Sequence, residues 1–189
     1  MASEEKSVSV QGQIPRAIFV EDVESFMKKP ENSDARAVLK TLDEQHNKYK
    51  FMDYNLATKR ARLLNQIPDI KSSLDIVTHM KSKKAGAKPL STQFRLSDNL
   101  YVKAKVPPTE KVCLWLGANV MLEYTLEAAD ELLQKNLTAA AESLEQVEED
   151  LSFIRDQTTT VEVNMARVYN WDVKRKQALN PTAPAAVTS

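Results

Sequence analysis

Hydrophobic residues recur every seven positions along two long parts of the chain. The first part lies between Pro30 and Gly86 and contains a single proline, and the second lies between Gly117 and Pro181 and contains neither proline nor glycine. Since those two residues are the commonest interruptions of helices, each part is predicted to form one continuous helix. Helices in globular proteins average about 11 to 12 residues, so these helices are predicted to extend beyond any compact core.

A seven-residue apolar series is the seam of a coiled coil. In the first part it comprises Leu42, Tyr49, Leu56, Leu63, Ile70 and Val77. The second seam position is apolar at Leu39, Ile67 and Leu74 and polar at His46, Asp53 and Arg60. The polar residues either loosen the seam or fix its register, and the sequence leaves both open. Pro68 predicts a bend and not an end, because the repeat continues through it.

The second part has the more regular repeat. One seam position reads Leu126, Leu133, Ala140, Val147, Ile154, Val161 and Val168, and the other reads Leu137, Leu144, Leu151, Thr158 and Met165. Thr125 is placed to cap the start of this helix. If the two helices pack antiparallel, partner residues have numbers that sum to about 210 and the repeats stay in phase. A long antiparallel coiled-coil hairpin is therefore predicted.

Between the helices, over residues 88–125, the hydrophobic period changes to two. In the first half the alternating residues are Leu90, Thr92, Phe94 and Leu96, then Leu100, Val102, Ala104 and Val106. In the second half they are Val112, Leu114 and Leu116, then Val120, Leu122 and Tyr124. Residues 97–99 and 117–119 are of the types that form turns. The pattern predicts two β-hairpins.

The remaining segments are shorter. Residues 18–29 place Phe19, Val23, Phe26 and Met27 on one face, which predicts a short amphipathic helix within a leading region of 14–33. The first coiled-coil helix is predicted over 34–86 and the second over 126–176. Residues 1–13 and 177–189 are predicted to be disordered.

Two hairpins alone leave open strand edges and an apolar face that the rest of the chain is too small to cover. The economical solution is pairing with equivalent hairpins of other chains in an intersubunit β-barrel, which makes the protein an obligate oligomer. In the alternative, the hairpins cap their own coiled coil in a monomer. The residues predicted to drive assembly are Phe94, Leu96, Val102, Val106, Leu114, Leu116, Val120 and Leu122.

Composition excludes several classes of function. Lys and Arg together number 26, as do Asp and Glu, so the chain has no net charge with which to attract nucleic acid or an anionic membrane. No apolar run approaches the roughly 20 residues of a transmembrane helix, and the polar start does not read as a secretory signal. A soluble, cytosolic protein is expected.

Residues with catalytic or metal-binding chemistry are few. The chain has two histidines, His46 and His79, and one cysteine, Cys113, which is expected to be a small buried hydrophobe. Their spacing suggests neither a nucleophile with its base nor a zinc site, and three glycines in total leave no phosphate-binding loop. No enzymatic activity, cofactor or metal is predicted.

Four segments resemble the α-type subunits of prefoldin. They are FVEDVESFM at 19–27, LDEQHNKYKFMDYNLATKRARLLNQIPDI at 42–70, PPTEKVCLWLGANVMLEY at 107–124 and NMARVYNWDVKRK at 164–176. The resemblance covers residues 14–176 and rests on long, distinctive strings as well as on the order of helix, two hairpins and helix.

The resemblance implies a heterohexamer in which this chain joins one further α-type subunit and four β-type subunits. It implies capture of unfolded polypeptides without ATP, and delivery of actin and tubulin chains to the cytosolic ring chaperonin. In that family each α-type subunit brings two hairpins to a central double barrel. A cytoplasmic location, with some nuclear pool, fits that role.

Clients are expected to bind at the helix ends far from the hairpins. The residues predicted for this tip are Val38, Leu39, Val168, Tyr169 and Trp171. Trp171 either contacts clients or packs against Phe19, Val23 or Phe26, and packing is favoured. The alternative function is a passive coiled-coil tether that binds one folded cytoskeletal partner, which periodicity alone does not separate from a chaperone.

Overall fold

The structure, a computed structural model, describes residues 14–32, 34–83 and 88–179. By internal contacts the chain divides into unit 1, with residues up to 60 and from 145 onward, and unit 2, with residues 61–144. The prediction of a mainly helical chain with a small antiparallel β part is confirmed. In chain order the elements are helix α1 (Val23–Met27), a 3-10 turn (Pro30–Asn32), helix α2 (Ala35–Lys81), strands β1 (Leu90–Ser97), β2 (Leu100–Val106), β3 (Lys111–Gly117) and β4 (Val120–Thr125), and helix α3 (Leu126–Leu179).

The seam residues form the core of both units. All seven residues of the first α3 series are buried, as are Tyr49, Leu56, Leu63 and Val77 of α2. In unit 1 a hydrogen bond and an ion pair join the helices: His46 Nε2 lies 2.9 Å from Glu162 Oε1, and Arg60 Nε lies 2.8 Å from Glu148 Oε1. In both pairs the residue numbers sum to 208, close to the predicted sum. His46 and Arg60 therefore fix the register of antiparallel helices.

The helix ends differ from the predicted boundaries. Helix α2 ends at Lys81 and not at residue 86, while Pro68 lies within it without ending it. Helix α3 continues to Leu179, so residues 177–179 are helical and not disordered. No helix-breaking residue precedes Pro181 here, which explains the extension. Residues 1–13 and 180–189, also predicted to be disordered, lie outside the described residues.

The hairpins form two separate two-stranded sheets in unit 2, with β1 paired to β2 and β3 paired to β4. Each ladder shifts register next to its turn, between Arg95 and Ser97 and between Trp115 and Gly117. At the second turn Gly117, Ala118 and Asn119 all have positive φ values, of 87°, 47° and 63°. Two successive positive φ values give the turn the twist that joins antiparallel strands.

The leading region is not the predicted helix over 18–29. Only Val23–Met27 is α-helical, because the carboxylate of Asp22 accepts the Glu24 N–H at 2.9 Å and caps the helix there. Residues 14–22, which we call the leading strap, have neither helical nor strand hydrogen bonds between residues of their own. Phe19 consequently lies outside α1. The side chains of α2 and α3 replace the missing backbone hydrogen bonds, as described below.

Candidate functional site

The first hairpin presents an apolar face to solvent. In the β1–β2 register Phe94 is opposite Val102 and Leu90 is opposite Val106, so these residues share one face. The side chains of Phe94, Leu96, Leu100 and Val102 are all exposed, and that of Val106 is half-buried. An exposed cluster of large apolar side chains indicates a surface that another molecule covers.

The second hairpin is divided along its length. Next to the helices, Val112, Leu114 and Tyr124 pack against a core of Val77, Leu126, Ala129 and Leu133. Farther along, Leu116, Val120 and Leu122 are exposed. Of the eight residues predicted to drive assembly, Leu114 thus contacts its own helices as well, while the outer three are exposed among the residues that the structure describes.

Two exposed apolar residues of the second hairpin were missed by the prediction. Trp115 and Met121 face each other across the ladder on the side opposite the Leu114–Leu122 pair, and both are exposed. The signal was in the sequence, since the alternation in β3 leaves Trp115 at a position where a polar residue is expected. Both faces of this hairpin therefore carry apolar side chains.

The predicted tip residues differ in accessibility. Val38 and Val168 are buried in unit 1 with Met27 and Ala35, under a layer formed by Val23, Phe26, Leu39, Leu42 and Trp171. Tyr169 is exposed. Trp171 thus packs in the same cluster as Val23 and Phe26, the favoured alternative, and the Arg175 guanidinium lies 5.1 Å from its ring centroid. The role of these five residues in client binding stays a prediction.

Two further aromatic residues on α2 were also missed. Phe51 and Tyr54 are three residues apart on the surface of unit 1, and both are exposed. They lie outside the heptad seam that contains Tyr49 and Leu56, and such positions are ordinarily polar. Aromatic residues at outward heptad positions were the available signal.

The leading strap lies along the helices of unit 1 and is bound through its main chain. The Ala17 N–H donates to Gln157 Oε1 at 2.8 Å, and the Val20 N–H donates to Asn164 Oδ1 at 2.9 Å. Asn164 Nδ2 in turn donates to the Ile18 carbonyl at 2.8 Å. One asparagine side chain therefore satisfies two main-chain groups of the strap.

Two more side chains bind main-chain carbonyls near the ends of the strap. The hydroxyl of Tyr49, a residue only 1% exposed, donates to the Pro15 carbonyl. Arg167 donates to the Glu21 carbonyl at 2.6 Å, and its guanidinium lies 5.2 Å from the ring centroid of Phe19. The strap is thus held at both ends as well as in the middle.

Two carboxylates have marked electrostatic environments. The Lys176 ammonium donates a hydrogen bond to buried Asp172 and, with Arg175 nearby, holds the pKa of that carboxyl below its usual value despite partial desolvation. In unit 2, Lys81 Nζ lies 2.7 Å from Asp130 Oδ2, and that hydrogen bond raises the pKa of Lys81. The charged forms of Asp172 and Lys81 are thereby stabilised.

The described residues contain no group of three or more His, Cys, Asp or Glu side chains arranged to hold a metal ion. Cys113 is exposed, so the expectation that it is buried was wrong. With its neighbour Leu114 it lines an open groove that also includes Ile70 of α2 and Leu132 of α3. Within the same part of the chain, no helix has a stretch long and apolar enough to span a bilayer.

Residues 49–171 match the family model described as Prefoldin subunit. The chain is 63% identical to the proteins named Prefoldin subunit 3 from Homo sapiens and Mus musculus, over 86% of this chain and 83% of each relative. It is 51% identical to the Drosophila melanogaster protein of that name, over 89% of this chain and 86% of the relative. The chain therefore belongs to the prefoldin family.

Proposed function

We propose that this chain is an α-type subunit of a heterohexameric prefoldin chaperone, together with one further α-type and four β-type subunits. The observation that carries the proposal is the exposed apolar face of the hairpins, which includes Phe94, Val102 and Leu122. An isolated two-stranded hairpin is marginally stable in water. Closing the hairpins of six chains into a barrel covers these faces and removes the strand edges.

The proposed activity is the capture of unfolded polypeptides without ATP. The exposed apolar side chains of unit 1, among them Tyr169, Phe51 and Tyr54, are suited to many weak contacts with a chain that has no fixed shape. Several subunits that hold one client raise its apparent affinity without a strong single site. Actin and tubulin chains are the proposed clients.

Transfer to the cytosolic ring chaperonin is the proposed next step. It requires no hydrolysis, since a competing chaperone or folding of the client itself removes the bound chain by mass action. A cytoplasmic location of the complex, with some nuclear pool, is proposed together with this role.

A light-scattering experiment tests the activity. The complex that contains this chain is added, without nucleotide, to several unrelated denatured proteins as they are diluted from denaturant. A chaperone suppresses the aggregation of all of them in proportion to its concentration. A passive tether, which binds one folded partner, leaves their aggregation unchanged, and that result contradicts the proposal.

A further inference from the structure

The leading strap and helix α3 share a common repeat. The strap buries Ile14 and Val20 and half-buries Ala17, so every third residue faces inward, while Ile18 between them is 83% exposed. Gln157 and Asn164, which bind the strap, are seven residues apart on α3. Seven helical residues rise about 10.5 Å, and three residues of extended chain span about 10 Å. The two repeats therefore advance together.

Asp150 lies one heptad before Gln157 and extends the same row on α3. Its side chain is 1% exposed, and its Oδ1 accepts a hydrogen bond from Gln146 at 3.2 Å. Its Oδ2 has no hydrogen-bond partner among the residues that the structure describes. We call Asp150, Gln157 and Asn164 the α3 ladder. A buried carboxylate oxygen in this row is suited to accept a main-chain N–H.

The helices recognise the strap mainly through its main chain, so most of these contacts do not depend on the side chains of the strap. The bonds from Tyr49, Gln157, Asn164 and Arg167 all join side chains of the helices to main-chain groups of the strap. The inward side chains supply only small or medium apolar groups. Any extended segment with apolar residues at every third position, and no proline where the ladder needs an N–H, satisfies the same groups.

We propose that the α3 ladder is a binding site for extended segments of unfolded polypeptides, and that the leading strap is an intramolecular occupant which such a segment displaces. The identity of the ligand as an unfolded client rests on the proposed function. The strap indicates what such a ligand must have, namely an extended backbone with an apolar side chain at every third residue.

There is room for an incoming segment to begin binding before the strap leaves. An open groove of about 510 Å³ is lined by strap residues, by Leu42 and Gln45 of α2 and by Asn164. A second, of about 550 Å³, is lined by Pro15 and by α2 residues that include Gln45 and Phe51. Gln45 belongs to both grooves. A client can thus bind beside the strap and then exchange for it one contact at a time.

Displacement has a quantitative consequence. If the ladder is open only part of the time, the apparent affinity for any outside segment is the intrinsic affinity multiplied by the fraction of time that the ladder is open. Because the strap is tethered to the site, its effective concentration there is high. Undocking the strap by substitution should therefore strengthen binding of an outside peptide. In an ordinary structural segment the gain is confined to a peptide of the segment's own sequence, whereas a site for unfolded clients also gains affinity for unrelated extended peptides.

The test measures binding of two fluorescent peptides to the full chain in its native complex. One has the sequence IPRAIFVED of residues 14–22, and the other has an unrelated sequence that keeps an apolar residue at every third position; the expected changes below apply to both, and a gain for the first peptide alone overturns the proposal. Val20→Asp places a charge at an inward strap position that is 9% exposed, and it should bind the peptide at least about tenfold more tightly than the parent. Ile18→Asp introduces the same charge at an outward position and should bind as the parent does. Adding Gln157→Ala and Asn164→Ala to Val20→Asp should abolish the gain.

Ala17→Pro provides a second way of undocking the strap, since it removes the N–H that donates to Gln157 without adding charge. It too should strengthen peptide binding. Equal affinity of the parent and both undocked variants overturns the proposal. Failure of both variants to fold, judged by circular dichroism, also overturns it, because the strap is then an indispensable part of the fold.

A parallel light-scattering assay with reduced, denatured lysozyme separates this proposal from the proposed function. If the parent complex suppresses aggregation but the undocked variants gain no peptide affinity, the ladder proposal fails and the chaperone function stands. If the parent complex does not suppress aggregation, the chaperone function fails, and tighter peptide binding by Val20→Asp would still support an extended-peptide site on α3.

Discussion

Asp172 illustrates how single side chains stabilise the end of α3 in unit 1. Asp172 is buried, yet its carboxylate is bound by two cations from the following turn, Lys176 and Arg175. The positive charges also lie near the carboxyl end of the helix, where the helix dipole favours cations. The charged form of Asp172 is thus favoured in the folded state, which links folding to pH.

Replacement of Asp172 by Asn is predicted to reduce the loss of the free energy of unfolding as the pH falls. The folded pKa of Asp172 lies below the ordinary value of 3.8, mainly because Lys176 donates a hydrogen bond to it. The stabilisation is therefore fully present above the unfolded pKa, which is about 3.9, and is lost as the pH falls through the folded pKa. Urea unfolding measured from pH 6 down to pH 2 should show a smaller acid loss in Asp172→Asn than in the parent.

The control is Asp98→Asn, at an exposed carboxylate in the β1–β2 turn. It should retain the acid dependence of the parent. An acid loss in Asp172→Asn as large as that in the parent would show that other carboxylates control this range of pH.

At the scale of elements, sequence predicts what is local and periodic. The heptads of α2 and α3 and the alternation in the four strands identified the helices, the hairpins and their turns. The leading strap was not predictable in this way, since its main-chain partners Gln157 and Asn164 lie 140 and 144 residues away along the chain. For the same reason alternation placed Leu114 and Leu122 on one face but did not show that Leu114 packs against the helices.

The β3–β4 turn provides a test at this scale. Ala118 has a φ of 47°, a left-handed conformation that costs a residue with a Cβ about 1–2 kcal/mol. Ala118→Gly removes that strain from the folded state, but glycine also gives the unfolded chain more conformational freedom, which offsets part of the gain. The substitution should therefore stabilise the protein by up to about 1 kcal/mol. Urea denaturation measures the change.

Ala128→Gly serves as the matched control, because Ala128 is an exposed residue in the first turn of α3, after the Thr125 cap. The same substitution there should destabilise the protein, by up to about 1 kcal/mol. Destabilisation by Ala118→Gly as well would mean that the positive φ does not limit the stability of this turn.

At the scale of the whole molecule, the hairpins leave apolar side chains uncovered while the helices bury theirs. The α3 seam is complete within the chain, from Leu126 to Val168. Phe94, Leu96 and Val102 are exposed within the described part of the chain. This contrast supports assignment of the coiled coil to the protomer itself and of the hairpin faces to contacts with other subunits.

The most direct test of this assignment is the native mass of the complex recovered with tagged chain under mild conditions, for the parent and two matched variants. Phe94→Asp charges the assembly face of the first hairpin, where the side chain is 54% exposed, and Tyr101→Asp charges its opposite face, where the exposure is 56%. A six-chain complex is expected for the parent and for Tyr101→Asp, and isolated chains are expected for Phe94→Asp. A normal hexamer with Phe94→Asp, or a parent chain found alone or with one large folded partner, would contradict this assignment.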